Sequence, residues 1–385
     1  MNKRLNILLC QIVDADPEKG IAQIPYAELL CNALSEAGNN VQLLIRKGTK
    51  KRFTLINNNT EIIEADIPNF RFFNIGIIIK YFQLLFFIKQ ILNEKKIDIF
   101  HLVNSHPSFL FWGCAVPSSK FAMTMHNAKF RFGEGVSIAN CIIEHYQAFK
   151  AARIFTGGIQ EKETAHNRFK ITVPNISKKL VVSHMGAFDY FSNDNSNVTL
   201  EKNTSPPTAA FFGRIVPYKG LKYLKEAWKM VKHKIPNAKL IIIGPGNDGG
   251  LQLERMDGIE FHNRYVPDDE AARLLSQVDV FVLPYVQGSQ TTVISIAHSL
   301  SKPVICSDVG SFAELLGNGG TLVPPCDAKA LYNALVAYLQ DRKLAERIGK
   351  KGKEYTEKNF SWNRIAQIHN NVYNEIVSIN NKSFK

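Results

Sequence analysis

Twice along the chain, short apolar runs of strand length alternate with longer segments whose apolar residues recur at helical spacing. In the first half the strand-like runs are Leu5–Cys10, Val41–Ile45, Ile97–Val103 and Phe121–Met125, and the clearest helix is Gln23–Ala37, which stops before Gly38. Ser192–Pro207, rich in Asn, Ser and Thr with two prolines, breaks the pattern and reads as a linker. The alternation then restarts. Strands Thr208–Phe212, Leu240–Ile243, Val278–Leu283 and Pro303–Ser307 interleave with helices from Tyr218, around Asp268–Ser276 and over Thr291–Leu300. Ala328–Leu339 and Trp362–Ile379 follow as amphipathic helices. Repeated β-α-β order predicts an α/β protein of two domains, each a parallel sheet covered by helices, with ligands at the carboxyl ends of the strands. A length of 385 residues agrees with two such domains.

Composition narrows the classes of function. Hydrophobic residues at 45% and charged residues at 21% exclude a disordered chain. Lys and Arg exceed Asp and Glu by 47 − 34 = 13, which favours acidic partners without choosing among phosphates, anionic lipid and nucleic acid. Basic and aromatic residues form no recognisable single-strand or RNA motif, so nucleic acid is not expected as a partner. The six cysteines are scattered without a Cys-x-x-Cys pair and read as reduced core thiols. Lys3 and Arg4 ahead of Leu5–Val13 resemble the start of a signal peptide. Gln11 interrupts the run and acidic residues follow it, so a first buried strand and a cytoplasmic protein are expected. Residues 74–92 are strongly apolar but carry Lys80 and Lys89, which argues against a spanning helix. A core helix is the reading adopted. The other reading is a helix whose exposed face, with Lys47, Lys50, Lys51, Arg52 and Arg71, rests peripherally on an anionic membrane surface.

Two loops of the second half carry chemistry. After Phe212, Gly213 lets a ligand approach the backbone, Arg214 follows at the strand end, and Lys219 is placed in the first turn of the next helix. Leu221, Leu224, Trp228 and Val231 would anchor that helix to the sheet. Arg can grip two oxygens and Lys adds a mobile point charge, a pair suited to a diphosphate, although cations near a turn are common without any ligand. Gly288, Ser289, Gln290, Thr291 and Thr292 form the second loop, directly ahead of an apolar helix. Amides at a helix start attract anions, and the ordinary alternative is a plain Ser/Thr cap. Both loops end strands of one half, and in an open parallel sheet such ends share a crevice.

In these motifs the chain resembles the retaining glycosyltransferases of family 4. Gly213-Arg214 and Lys219-Gly220 are similar to that family's GR…KG loop, and Ile243 to Gly246 to its strand-end glycine turn. Ile259–Val266, Val278–Pro284, Ala297–Val304 with Ser307 to Gly310 and Glu314, and Phe360 to Trp362 extend the likeness across the C-terminal half. The first half matches more loosely, at Gly20 in the first long loop, at Thr124 to His126 and at Val182–Asp189.

The resemblance implies a GT-B fold, two Rossmann-like parallel-sheet domains facing across a cleft. Residues 1–191 would form the acceptor-side domain, rejoined by a C-terminal helix at 362–385, with 192–207 as linker and 208–361 as the nucleotide-sugar domain. It implies transfer of a hexosyl unit with retention, from a nucleotide diphosphate sugar to a sugar or lipid-linked saccharide hydroxyl in cell-surface polysaccharide or glycolipid synthesis. Neither a cofactor nor a metal is expected. Arg214 and Lys219 would stabilise the departing phosphate. Gly213, Gly288, Ser289, Gln290, Thr291, Thr292 and Tyr265 would hold the donor, and Gly20 would belong to the acceptor-side loop. A histidine after a strand is by default a loop residue; by the match, His126 lines the site.

One departure stands out. The family carries two glutamates where Gly288 and Ile296 stand here, and neither of those side chains can ionise or accept a hydrogen bond. Ser289 to Thr292 resembles a Thr-Gln-Ser-Gly variant of the loop, which implies that Gln290 takes over the sugar contact. The alternatives left open are a catalytically degenerate nucleotide-sugar binder and a different GT-B enzyme such as a sugar-nucleotide epimerase.

Overall fold

The computed structural model describes residues 4–13, 23–68, 75–128, 138–193 and 205–383. These divide into two compact units, one running to Gly186 and resuming at Trp362, the other spanning Ala187–Ser361. The change at Gly186 comes ahead of the polar stretch at 192–207. Ala187 already donates its N–H to the Phe360 carbonyl (2.9 Å), and Phe188 donates to Ser295 Oγ (2.8 Å). The linker's central residues and Gly20 lie outside the described residues.

The first unit is built on a seven-stranded, wholly parallel sheet. Its strands are β1 (Asn6–Gln11), β2 (Asn40–Arg46), β3 (Glu61–Ala65), β4 (Ile99–Leu102), β5 (Phe121–Met125), β6 (Arg153–Thr156) and β7 (Leu180–Val182), in the order β3-β2-β1-β4-β5-β6-β7. The second unit has β8 (Thr208–Phe212), β9 (Lys239–Ile243), β10 (Ile259–His262), β11 (Val280–Leu283), β12 (Val304–Ser307) and β13 (Gly320–Val323), in the order β10-β9-β8-β11-β12-β13. Each sheet is Rossmann-like, with its direction of winding reversing between β1 and β4 or between β8 and β11. That is where open α/β sheets bind ligands. β1, β2, β4 and β5 are almost wholly buried, as strands covered by helices on both faces must be.

On one face of the first sheet, helix Gln23–Glu36 packs beside helix Trp362–Ser383, and Asn39 Nδ2 donates to Asn370 Oδ1 (2.9 Å). Beneath them His101 on β4 is fully buried. Its Nδ1 pairs with the Tyr373 hydroxyl (2.5 Å) and its Nε2 with Thr124 Oγ1 (2.8 Å). His369 stacks on Phe155 at 4.0 Å. On the other face lie helices Ile75–Glu94, Phe109–Trp112 and Ile138–Lys150. They are joined by Tyr81 stacked on Phe111 (4.4 Å) and by Phe109 against Tyr146 (6.2 Å).

Three expectations are corrected. Lys219 is not in the first turn of the following helix. It ends a short turn, Pro217–Lys219, and the helix Leu221–Lys234 begins only after Gly220, whose φ of +71° is left-handed. Of the cysteines, Cys10, Cys31 and Cys306 are buried thiols, but Cys114 and Cys326 are exposed. Helix Ile75–Glu94 is only half a core helix. Tyr81, Leu84, Ile88, Ile91 and Leu92 are buried, while Ile78, Ile79, Phe82 and Phe86 face outward.

Candidate active site

The glycine loop and the Ser/Thr loop meet at the carboxyl end of the second sheet, on either side of the β8/β11 switch point. Gly213 has a φ of +135°, a conformation that a side chain would strain. The atoms nearest to where its Cβ would stand are Lys219 Nζ (3.8 Å) and the Tyr285 hydroxyl (3.9 Å). The bare backbone of Gly213 therefore lies directly under the Lys219 ammonium. Gly244, at the end of β9, comes so close that a Cβ there would overlap the Gly213 carbonyl.

Two tyrosines place the cations. Lys219 Nζ donates to the Tyr285 hydroxyl and sits 3.7 Å from the centre of that ring, with the Tyr218 ring at 5.5 Å. A buried ring face attracts an ammonium and confines an otherwise flexible side chain. Arg214 is exposed, and its Nη2 donates to the Tyr218 hydroxyl at 3.4 Å. Tyr218 and Tyr285 are both buried. The backbone closes the arrangement. Val286 N–H donates to the Tyr218 carbonyl (2.8 Å), and a Cβ on Gly220 would overlap the Pro284 carbonyl oxygen. The two loops thus form one rigid unit.

The second loop is clamped from behind. Ser311 N–H donates to the Ser289 carbonyl (2.8 Å), and a Cβ on Gly310, at φ +54°, would overlap the Gly288 and Ser289 carbonyls. Ser289 and Thr291 are buried, Gln290 and Thr292 are half-exposed, and Thr291 caps helix Thr292–Ser299 by accepting from Val293 N–H (3.3 Å). Neither helix Thr292–Ser299 nor helix Leu221–Lys234 has an acidic residue in its first turn, so nothing there offsets the positive dipole ends. A Cβ at Gly288 would press on the Phe312 ring at 3.0 Å, and Ile296 is buried. Residues 288 and 296 are therefore packing positions.

The remaining residues singled out in the sequence are on other elements. Tyr265 is exposed beyond β10, with β9 standing between its strand and β8. His126 follows β5 in the first unit. Its Nε2 must carry a proton to bond the Val103 carbonyl (2.9 Å), and its ring stands edge-on to Tyr26 at 5.3 Å. Tyr218 and Tyr285 escape a reading of motifs because tyrosines beside a strand end look like packing. The usable signal is their proximity in sequence to Lys219 and Pro284.

Residues 206–341 match the family model described as "Glycosyl transferases group 1". The likeness to the group 1 glycosyltransferases thus falls within the second domain. Over 182 residues, 46% of its length and 48% of the relative's, the chain is 30% identical to a phosphatidyl-myo-inositol mannosyltransferase of Mycobacterium leprae. Over 54% of its length it is 25% identical to the capsular polysaccharide biosynthesis glycosyltransferase CapM of Staphylococcus aureus, covering 60% of that protein. The chain thus spans about half the length of the curated relatives it matches. Its fold as a whole is similar to that of Alr3699/HepE of Anabaena, solved with UDP and glucose. The TM-score is 0.68 at 15% identity, covering 94% of this chain and 98% of the other. The cationic loop unit at Gly213–Gly220 falls within the matched residues, as does the Ser289–Thr292 loop.

Proposed function

We propose that the protein transfers a sugar from a nucleotide diphosphate sugar to an acceptor hydroxyl with retention of configuration, in the synthesis of a cell-surface polysaccharide or glycolipid. The observation that carries this reading is the Lys219 ammonium held over the bare Gly213 backbone by Tyr285, with Arg214 beside it. When the bond from the anomeric carbon to the β-phosphate breaks, negative charge grows on the departing oxygen. Two cations and the dipole ends of two helices are arranged around the place where that charge develops. Fixed charges of this kind act at no reorganisation cost during the reaction. The acceptor oxygen forms the new bond on the same face, and the leaving phosphate takes its proton. No protein base or metal enters this reading. Lipid and capsular acceptors in the names of the relatives support the acceptor class, and the UDP in a neighbour of similar fold supports the donor class.

The test is turnover by Arg214→Ala and Lys219→Ala. Each is expected to lose about 10²-fold or more, the scale of removing one oxyanion-stabilising donor. Near-normal rates in both would defeat the assignment. A second reading, binding without transfer, is favoured by one observation: Gly288 and Ile296, at positions where the resemblance implies carboxylates, serve packing. It predicts that UDP or GDP raises the melting temperature while no acceptor releases nucleotide from any UDP- or GDP-sugar.

A further inference from the structure

Large apolar side chains are exposed unevenly over the molecule. Of thirteen such residues among those described, eight lie on three neighbouring helices of one face of the first unit. Helix Ile75–Glu94 contributes Ile78, Ile79, Phe82 and Phe86, the last two 60% and 66% exposed. Helix Phe109–Trp112 adds Leu110, and helix Ile138–Lys150 adds Ile138, Ile142 and Phe149, spaced so that all three share one stripe. The Tyr81–Phe111 and Phe109–Tyr146 contacts make the three helices a continuous surface. A contiguous patch of this kind on a folded domain marks an interaction surface.

Charge selects the occupant. Lys80 and Lys89 sit on the outer side of the first helix, and their long stems can carry the charges clear of an apolar surface. Lys80 bonds Asp66 (3.0 Å), and next to that strand end the backbone of Lys47 and Gly48 bonds Ala65 and Glu64. Lys47, Lys50, Lys51 and Arg52 therefore flank the same end of the helix. Five basic residues, Lys47, Lys50, Lys51, Arg52 and Lys80, stand there against Glu64 and Asp66, while Lys89 lies towards the far end of the helix. Residues Gly76–Glu94 are long and apolar enough to cross a bilayer by length and composition. Their inner stripe, however, is already buried in the core of the domain, and crossing a bilayer would require pulling it out.

We propose that this face docks on an anionic lipid bilayer, with Phe82 and Phe86 entering the headgroup boundary and the flanking lysines and arginine meeting acidic lipids. The proposal stands independently of the sugar-transfer reading.

Co-sedimentation of the full chain with vesicles tests it, using phosphatidylcholine alone and phosphatidylcholine with phosphatidylglycerol. The expected result is sedimentation only with the anionic vesicles, weakening as salt is raised. The bound fraction should fall at least tenfold in Phe82→Ser/Phe86→Ser and severalfold in Lys50→Gln/Lys51→Gln. Unchanged thermal unfolding and an unchanged UDP-induced melting shift establish that these variants remain folded and that donor binding is untouched. Equal sedimentation of wild type and the Phe variant would overturn the proposal. So would no sedimentation of the wild type, including the case in which it is a dimer in solution and the Phe variant is a monomer, which would assign the face to a second copy of the chain.

Discussion

The two domains share a strand order and use it in opposite ways. The second domain keeps its apolar residues inside, and among its described residues only Tyr265 and Leu322 are large apolar side chains left exposed. It places its cations on loops whose glycines touch neighbouring backbone. The first domain buries polar groups, with His101, Thr124, His369 and Tyr373 beneath helix Trp362–Ser383, and turns phenylalanines outward. One sheet plan can thus serve as a rigid charge holder or as a surface with two apolar sides, depending on which residues fill the helices.

Inner and outer positions of helix Ile75–Glu94 give the sharpest contrast. Ile88→Ala, at a fully buried site, is expected to cost about 2–5 kcal/mol by denaturant unfolding. In the second domain Gly220→Ala should cost about 1–3 kcal/mol for the left-handed backbone alone. Because the loops move with it, the UDP-induced melting shift should also disappear; a retained shift would show that the loops are not one unit.

Both domains also hold buried neutral histidines, His101 and His369 in the first and His298 in the second. Burial holds His369 in the first and His298 in the second down to about 4. The folded-state values lie below the unfolded value near 6.5, so the unfolded chain binds protons first. Stability is complete above about pH 6.5 and falls as pH drops toward 4, by on the order of 1 kcal/mol per pH unit for each histidine. Melting at pH 7, 6 and 5 should show the decline, and His369→Gln should reduce its slope. Smallest of all is the outer position. Phe82→Ser should change stability by no more than about 0.5 kcal/mol, although Phe is the larger side chain. A loss comparable to that of Ile88→Ala would mean that the outer face is packed.

Much of this organisation is legible in the sequence. β5, β8 and the helix Asp268–Ser276 lie where the apolar periodicity puts them, and the Gly213–Lys219 motif stands at a strand end as its residues suggest. Helix Arg342–Phe360 has no such signal. Its buried residues are Ala345, Gly349, Gly352, Thr356 and Phe360, mostly small, and the glycines let it approach so closely that a Cβ at Gly349 would overlap the Ser301 carbonyl. Apolar periodicity registers large side chains, so a helix packed through small ones is invisible to it. The converse holds for Ile75–Glu94, where apolar residues on both sides leave no polar stripe to say which side is inside. The partnership of Lys219 with Tyr285, 66 residues later, depends on the fold and cannot be found by local spacing.

The bond between His101 and Tyr373 joins residues 272 positions apart in the chain. On the ribosome, the portion synthesised first therefore cannot complete its interior until the last helix has emerged. Ala187–Ser361 contains its own full sheet and has no such wait, so the later-made domain is the one able to mature first.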